Sequence, residues 1–78
     1  MVHMQASQLI GIEVECSQKS DMRLAQILPD LIAYHDFVWY FCLTTTIRQA
    51  VARARKEYLE TDEQRSRVRI LLLEDYLP

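Results

Sequence analysis

From Leu9 to Glu15 the chain reads LIGIEVE, with Ile10, Ile12 and Val14 on one side of an extended backbone and Gly11, Glu13 and Glu15 on the other. That period of two predicts a strand with one clearly apolar face. After CSQK, Ser20 suits a helix N-cap and Asp21 its first turn, where unpaired amides stabilise a carboxylate. Met22, Ala25, Ile27 or Leu28, Leu31 and Ile32 then recur at helical spacing, which predicts a helix reaching Tyr34 or His35. Pro29 falls inside it and removes a backbone hydrogen bond, so a kink or a break into two pieces is expected.

The next stretch, DFVWYFCL, is continuously apolar, aromatic and β-branched, and too short for a typical helix. It predicts a central parallel strand buried on both faces, with Trp39 and Tyr40 on opposite sides. Phe37, Trp39, Tyr40 and Phe41 are accordingly read as core, in preference to a base-stacking platform. TTTIRQ predicts a capping box between Thr46 and Gln49, opening a helix whose apolar stripe is Ile47, Ala50, Val51, Ala54 and Tyr58. ETDEQRS reads as a turn, and RVRILLL as a third strand with Val68, Ile70 and Leu72 on one face. The order β-α-β-α-β predicts an α/β fold: a three-stranded, mostly parallel sheet with right-handed crossovers and two helices packed on it. One small domain spans residues 1–78, with 1–8 expected as a flexible lead or extra edge strand and 74–78 as a tail.

Composition narrows the class without identifying a function. Half of the 78 residues are hydrophobic and only three are Gly or Pro, which excludes disordered, collagen-like and mucin-like chains. A chain this short buries only roughly 60% of the surface its unfolded form exposes, so its stability depends on a well-packed core or a shared one. The longest apolar run, FVWYFCL, falls far short of the roughly 20 residues that span a bilayer, and no membrane partner is expected. MVHMQASQ at the N-terminus lacks the features of a secretory signal, and Cys16 and Cys42 form no close metal-binding pair. Two buried, reduced thiols in a cytoplasmic protein are the expectation, both read as core rather than as nucleophiles.

The formal net charge of −2 exerts no global pull on nucleic acid, yet the charges are segregated. Residues 1–36 carry Glu13, Glu15, Asp21, Asp30 and Asp36 against Lys19 and Arg23. Residues 48–69 carry Arg48, Arg53, Arg55, Lys56, Arg65, Arg67 and Arg69 against Glu57, Glu60, Asp62 and Glu63. An acidic site beside a basic track fits this split, and so does a salt-bridged helix and loop surface. Arg48, Arg55 and Lys56 are the candidate nucleic-acid contacts, since basic side chains along one helix can follow a phosphate backbone. With a single glycine there is no P-loop and no dinucleotide fingerprint, which argues against nucleotide-dependent chemistry. His3 and His35 have no convincing partner for a ligand or general-base role, and no histidine adjoins either cysteine to activate it.

The sharpest candidate for chemistry is the E-x-E pair. Side chains two apart on a strand share a face with Cα atoms about 6.6 Å apart, close enough for two carboxylates to share a hard divalent cation. Lys19, just beyond the strand, would orient a nucleophilic water or stabilise charge developing on a phosphate. A solvated strand face is the alternative reading of the same residues.

GIEVECSQKS on a strand, followed by a helix, FVWYFCL, a second helix and RVRILLL, resembles the C-terminal half of plasmid replication-relaxation and mobilisation proteins. These belong to the PD-(D/E)XK nuclease-like superfamily, and the resemblance covers roughly Leu9 to Leu73. It implies a partial restriction-endonuclease-like core and Mg²⁺- or Mn²⁺-dependent DNA endonuclease or nickase chemistry. Glu13 and Glu15 would match the acidic metal-binding positions of the motif strand, with catalytic roles, and Lys19 the basic catalytic position, displaced to the strand end. In that superfamily a helix and a hairpin precede the motif strand, and the hairpin supplies another metal-binding Asp. Here only eight residues precede Leu9 and none is acidic, which implies a fragment, a degenerate descendant or one part of a split protein, inactive alone. The bare edge of the first strand would then invite homodimerisation or docking of the missing half. The competing function is a non-enzymatic module that binds protein or DNA through that edge or the basic helix.

Overall fold

A computed structural model describes residues 8–77. The expectations placed on residues 1–7, including His3, lie outside the described residues. Three strands form one parallel sheet in the order β1-β2-β3: β1 (Ile10–Glu15), β2 (Phe37–Cys42) and β3 (Val68–Leu72). Helix α1 (Asp21–Tyr34) connects the first two strands; α2 (Thr45–Tyr58) and the short α3 (Asp62–Ser66) connect the last two. A 3₁₀ turn, Leu73–Tyr76, follows β3 and replaces the expected tail. The α/β fold with a parallel sheet and two main helices is thus present, with β2 in the centre as expected.

Local chemistry explains most element ends. Ser20 caps α1 by accepting a hydrogen bond from the Arg23 amide at 3.1 Å. The helix continues through Pro29 as one element rather than breaking, its N–H-less position lying on the half-buried side. Helix α2 starts earlier than expected: Thr44, not Thr46, is the cap, accepting from the Ile47 amide at 3.2 Å. The capping box instead belongs to α3, where Thr61 and Gln64 exchange side-chain and backbone hydrogen bonds. A complete capping box turned the expected turn into a helix of five residues.

Two β-α-β crossovers of the same hand, moving in the same direction across the sheet, put both helices on one face. Leu24, Leu28 and Ile32 of α1 and Ile47, Val51 and Ala54 of α2 pack there against Val38, Tyr40, Cys42 and Val68 in one cluster. The molecule is accordingly only 18 Å deep along its shortest axis. No described element covers the other face, which corrects the expectation that β2 is buried on both sides. Trp39 is 37% exposed, and Phe37 is exposed with it. The apolar side of β1 is bare as well: register pairs Gly11, Glu13 and Glu15 with Val38, Tyr40 and Cys42 of the covered face. Ile10, Ile12 and Val14 therefore point to the open side.

Two contacts lock the N-terminal end of the sheet. The Asp36 carboxylate accepts from the Leu9 amide at 2.8 Å, and Arg67 donates to the carbonyls of Ile32, His35 and Asp36. Helix α1 has no basic residue in its last turn, so Arg67 supplies from elsewhere the cation that its carbonyl end favours. His35 Nδ1 also meets the Leu31 carbonyl at 2.9 Å, with its ring lying over Gly11. A Cβ at Gly11 would stand 2.9 Å from that ring. Gly11→Ala is expected to cost about 1–3 kcal/mol by overpacking, and much less when His35 is also alanine. Urea denaturation of the four species in this cycle measures the coupling directly.

Candidate functional site

Glu15 closes β1 on the covered face and is only 3% exposed, the one charged residue enclosed in the core among the described residues. An unpaired carboxylate there would be costly, so its environment must satisfy it. Tyr40, one strand over, donates its hydroxyl to Glu15 Oε1 at 2.8 Å. Lys19 reaches back over the loop that follows β1 and donates to the same oxygen, forming an ion pair. The pair is asymmetric in burial: the Lys19 side chain is more than a quarter exposed, whereas Glu15 is enclosed. The lysine thus links a buried carboxylate to the surface at the C-terminal ends of the parallel strands, where open α/β sheets place their ligands.

Glu13 shares the face of Glu15, opposite Tyr40 in the register, and is partly exposed. Among the described residues its carboxylate makes no hydrogen bond or ion pair. Lys19 thus meets Glu15, and Glu13 shares its face of the sheet, on the side the helices cover. Tyr40 is the member that sequence reading missed. Its position predicted burial, and only the parallel register with β1 shows that its hydroxyl meets Glu15.

Burial, followed by the Glu15 carboxylate, raises the Tyr40 hydroxyl well above its ordinary range, so it stays a donor. Burial and then Glu15 likewise push the neighbouring Cys42 thiol up to about 11, with Arg48 pulling weakly the other way. Cys42 is therefore a buried, protonated thiol of the core, as expected, whereas Cys16 lies just past the end of β1 and is exposed, which corrects the expectation that both thiols are buried.

Glu13 and Glu15 are the described side chains placed to offer oxygen to a Mg²⁺ or Mn²⁺ ion, fewer than a closed site requires. No group of three His, Cys, Asp or Glu side chains converges among the described residues, and Glu15 Oε1 already takes two donors. Lys19 supplies the positive charge beside Glu15.

The three basic candidates on α2 do not form one uniform track. Arg48 is half-buried in the first turns, Lys56 is exposed, and Arg55 is half-buried with its guanidinium donating to the Val68 carbonyl at 2.8 Å. Arg55 and Lys56 also occupy the last turn of α2, where positive charge favours the helix end. A cavity of about 380 Å³ lies at the opposite end of the helix layer, lined by Pro29, Ile32, Tyr58, Gln64 and Arg67 among others, and contains none of the candidate residues. No protein-family profile, curated protein or solved structure matches this chain.

Three outcomes follow from this geometry. Tyr40→Phe should cost about 1.5–3 kcal/mol in a denaturant titration, because it removes a donor to a buried charge. Lys19→Met should cost no more than about 3 kcal/mol, below the range for a fully enclosed pair, since the lysine is partly solvated. Raised acid pKa values mean the folded state holds protons that the unfolded chain releases first. The Cys42 contribution is present below pH 9 and is lost as pH rises toward about 11, and Tyr40 acts in the same direction. Urea midpoints at pH 8 and pH 10.5 should therefore fall for the parent chain, and fall less for Cys42→Ala.

Proposed function

We propose that this domain supplies the glutamate-and-lysine arm of a metal-dependent, nuclease-like DNA-processing site of a mobile element, and is inactive by itself. One observation carries the reading: Glu15 is enclosed beside a solvent-linked Lys19 and the Tyr40 hydroxyl, with Glu13 on the same face and making no hydrogen bond or ion pair among the described residues. In a small core, a buried ion pair is commonly no more stabilising than apolar residues of equal volume. Its presence at the ends of parallel strands fits a chemical role better than a packing role.

In this reading Glu13 and Glu15 are donors toward Mg²⁺ or Mn²⁺, which would polarise a phosphodiester when bound. Tyr40 fixes the Glu15 carboxylate, and Lys19 stabilises charge on the phosphate oxygens or orients water. Further carboxylate ligands would come from another chain, and in this reading the domain is inactive in isolation. Arg48 and Lys56 offer positive charge for the DNA backbone, with Arg55 contributing less because it is tied to Val68. No described helix is long and apolar enough to cross a membrane, and the reading assigns the domain to the cytoplasm.

The test is a Mn²⁺ titration read by thermal unfolding, beside a plasmid-nicking assay. Metal at ten times its Kd should stabilise the chain by about 1.4 kcal/mol, several degrees of Tm in a domain this size, with no nicking by the chain alone. Glu13→Gln, which leaves the Glu15–Tyr40–Lys19 triad intact, should abolish the shift. The absence of any shift through millimolar Mn²⁺ would overturn the metal reading. Salt-sensitive DNA binding that needs no metal and survives Glu13→Ala would then assign the domain to the non-enzymatic class.

A further inference from the structure

The open face of the sheet is independent of the Glu15 cluster. Ile10, Ile12 and Val14 of β1 lie beside Phe37, Trp39 and Phe41 of β2 in register. Beyond them, β3 adds Arg69 opposite Trp39 and Leu71 opposite Phe41. Tyr76 from the terminal 3₁₀ turn folds back onto Phe41, with ring centroids 5.5 Å apart and an edge-on angle of 85°. The exposed fractions leave on the order of 500 Å² of contiguous apolar surface in water, at the upper end for the largest patch of a soluble monomer. Purely parallel sheets are normally covered on both faces, and here two layers account for the described residues.

We propose that a second copy of this chain covers this face, by packing sheet against sheet about a two-fold axis that crosses the strands. Area and charge both favour this occupant. The apolar field plus the rim enclosed with it approaches the roughly 800 Å² per partner of a stable interface. Arg69 is the one charged side chain of the strands on this face, near the N-terminal end of β3. Glu74 and Asp75 follow the C-terminal end of the same strand and are exposed. A two-fold axis across the strands lays the beginning of one β3 over the end of the other. Each Arg69 then approaches the acids of its partner, and each Trp39 approaches the partner's Phe41; such reciprocal contacts are what an isologous interface requires.

The alternative two-fold arrangement, β1 against β1 edge to edge, satisfies the free strand edge but leaves both apolar faces in water. Face-to-face packing removes the larger liability. Sheets packed this way lie about 10 Å apart, a spacing that side chains from both faces fill.

Sedimentation velocity on the parent chain at tens of micromolar, with Trp39 emission followed on dilution, tests the proposal. A dimer whose emission shifts red on dissociation is expected. Ile12→Lys adds a charge at an already exposed site, so circular dichroism should show an intact fold, while Kd rises roughly 30-fold or more, as at an interface hot spot. Arg69→Glu should weaken the dimer, and Glu74→Arg/Asp75→Arg in the same chain should restore it. A monomer at these concentrations overturns the proposal. So does a dimer unmoved by Ile12→Lys and Arg69→Glu but lost on Val14→Pro, which would assign association to the strand edge.

Discussion

The structure turns on one enclosed carboxylate. Side chains alternate along a strand, so placing Glu15 beneath the helices also places Gly11 and Glu13 there and sends Ile10, Ile12 and Val14 outward. Tyr40 and Lys19 make that orientation tolerable by satisfying Glu15, and Gly11 makes it sterically feasible by leaving room for the His35 ring. Reversing β1 would place three aliphatic side chains under the helices and both glutamates in water, but would press a side chain where the imidazole now lies. The polar cluster and the bare apolar face are thus two results of a single parity.

That parity also links stability with chemistry. The triad sits within the shell of apolar side chains from α1, α2 and β2 that holds the domain together, so changes at Glu15 act on folding and on the site at once. Glu13 and the outer end of Lys19 are the parts able to meet a ligand without disturbing the core. Separating these roles matters in a domain whose total stability is the small difference of large terms.

Much of the local structure was legible in the residues themselves. Ser20 capped α1, the stripe Ile47, Ala50, Val51 and Ala54 became the buried side of α2, and Val68 and Leu72 became the buried side of β3. The polar cluster was legible only in part. Glu13, Glu15 and Lys19 are near neighbours in sequence, whereas Tyr40 stands 25 positions from Glu15 and joins it through strand pairing alone. Arg67 was similarly hidden: its carbonyl partners lie more than 30 positions away at the end of α1.

The amino-acid sequence determined element type and order, because periodicity, caps and breakers act over a few residues and need no distant partner. It determined the parallel sheet too, since helices between strands return the chain to the same starting edge. Only the tertiary structure decided which side of β1 is covered. Hydrophobic alternation favours the isoleucine side, but strand order places both helices on one face and register aligns Glu15 with the buried side of β2. Burial of each side chain is therefore set by the position of the helices across the sheet, a non-local property that no pattern within LIGIEVE contains.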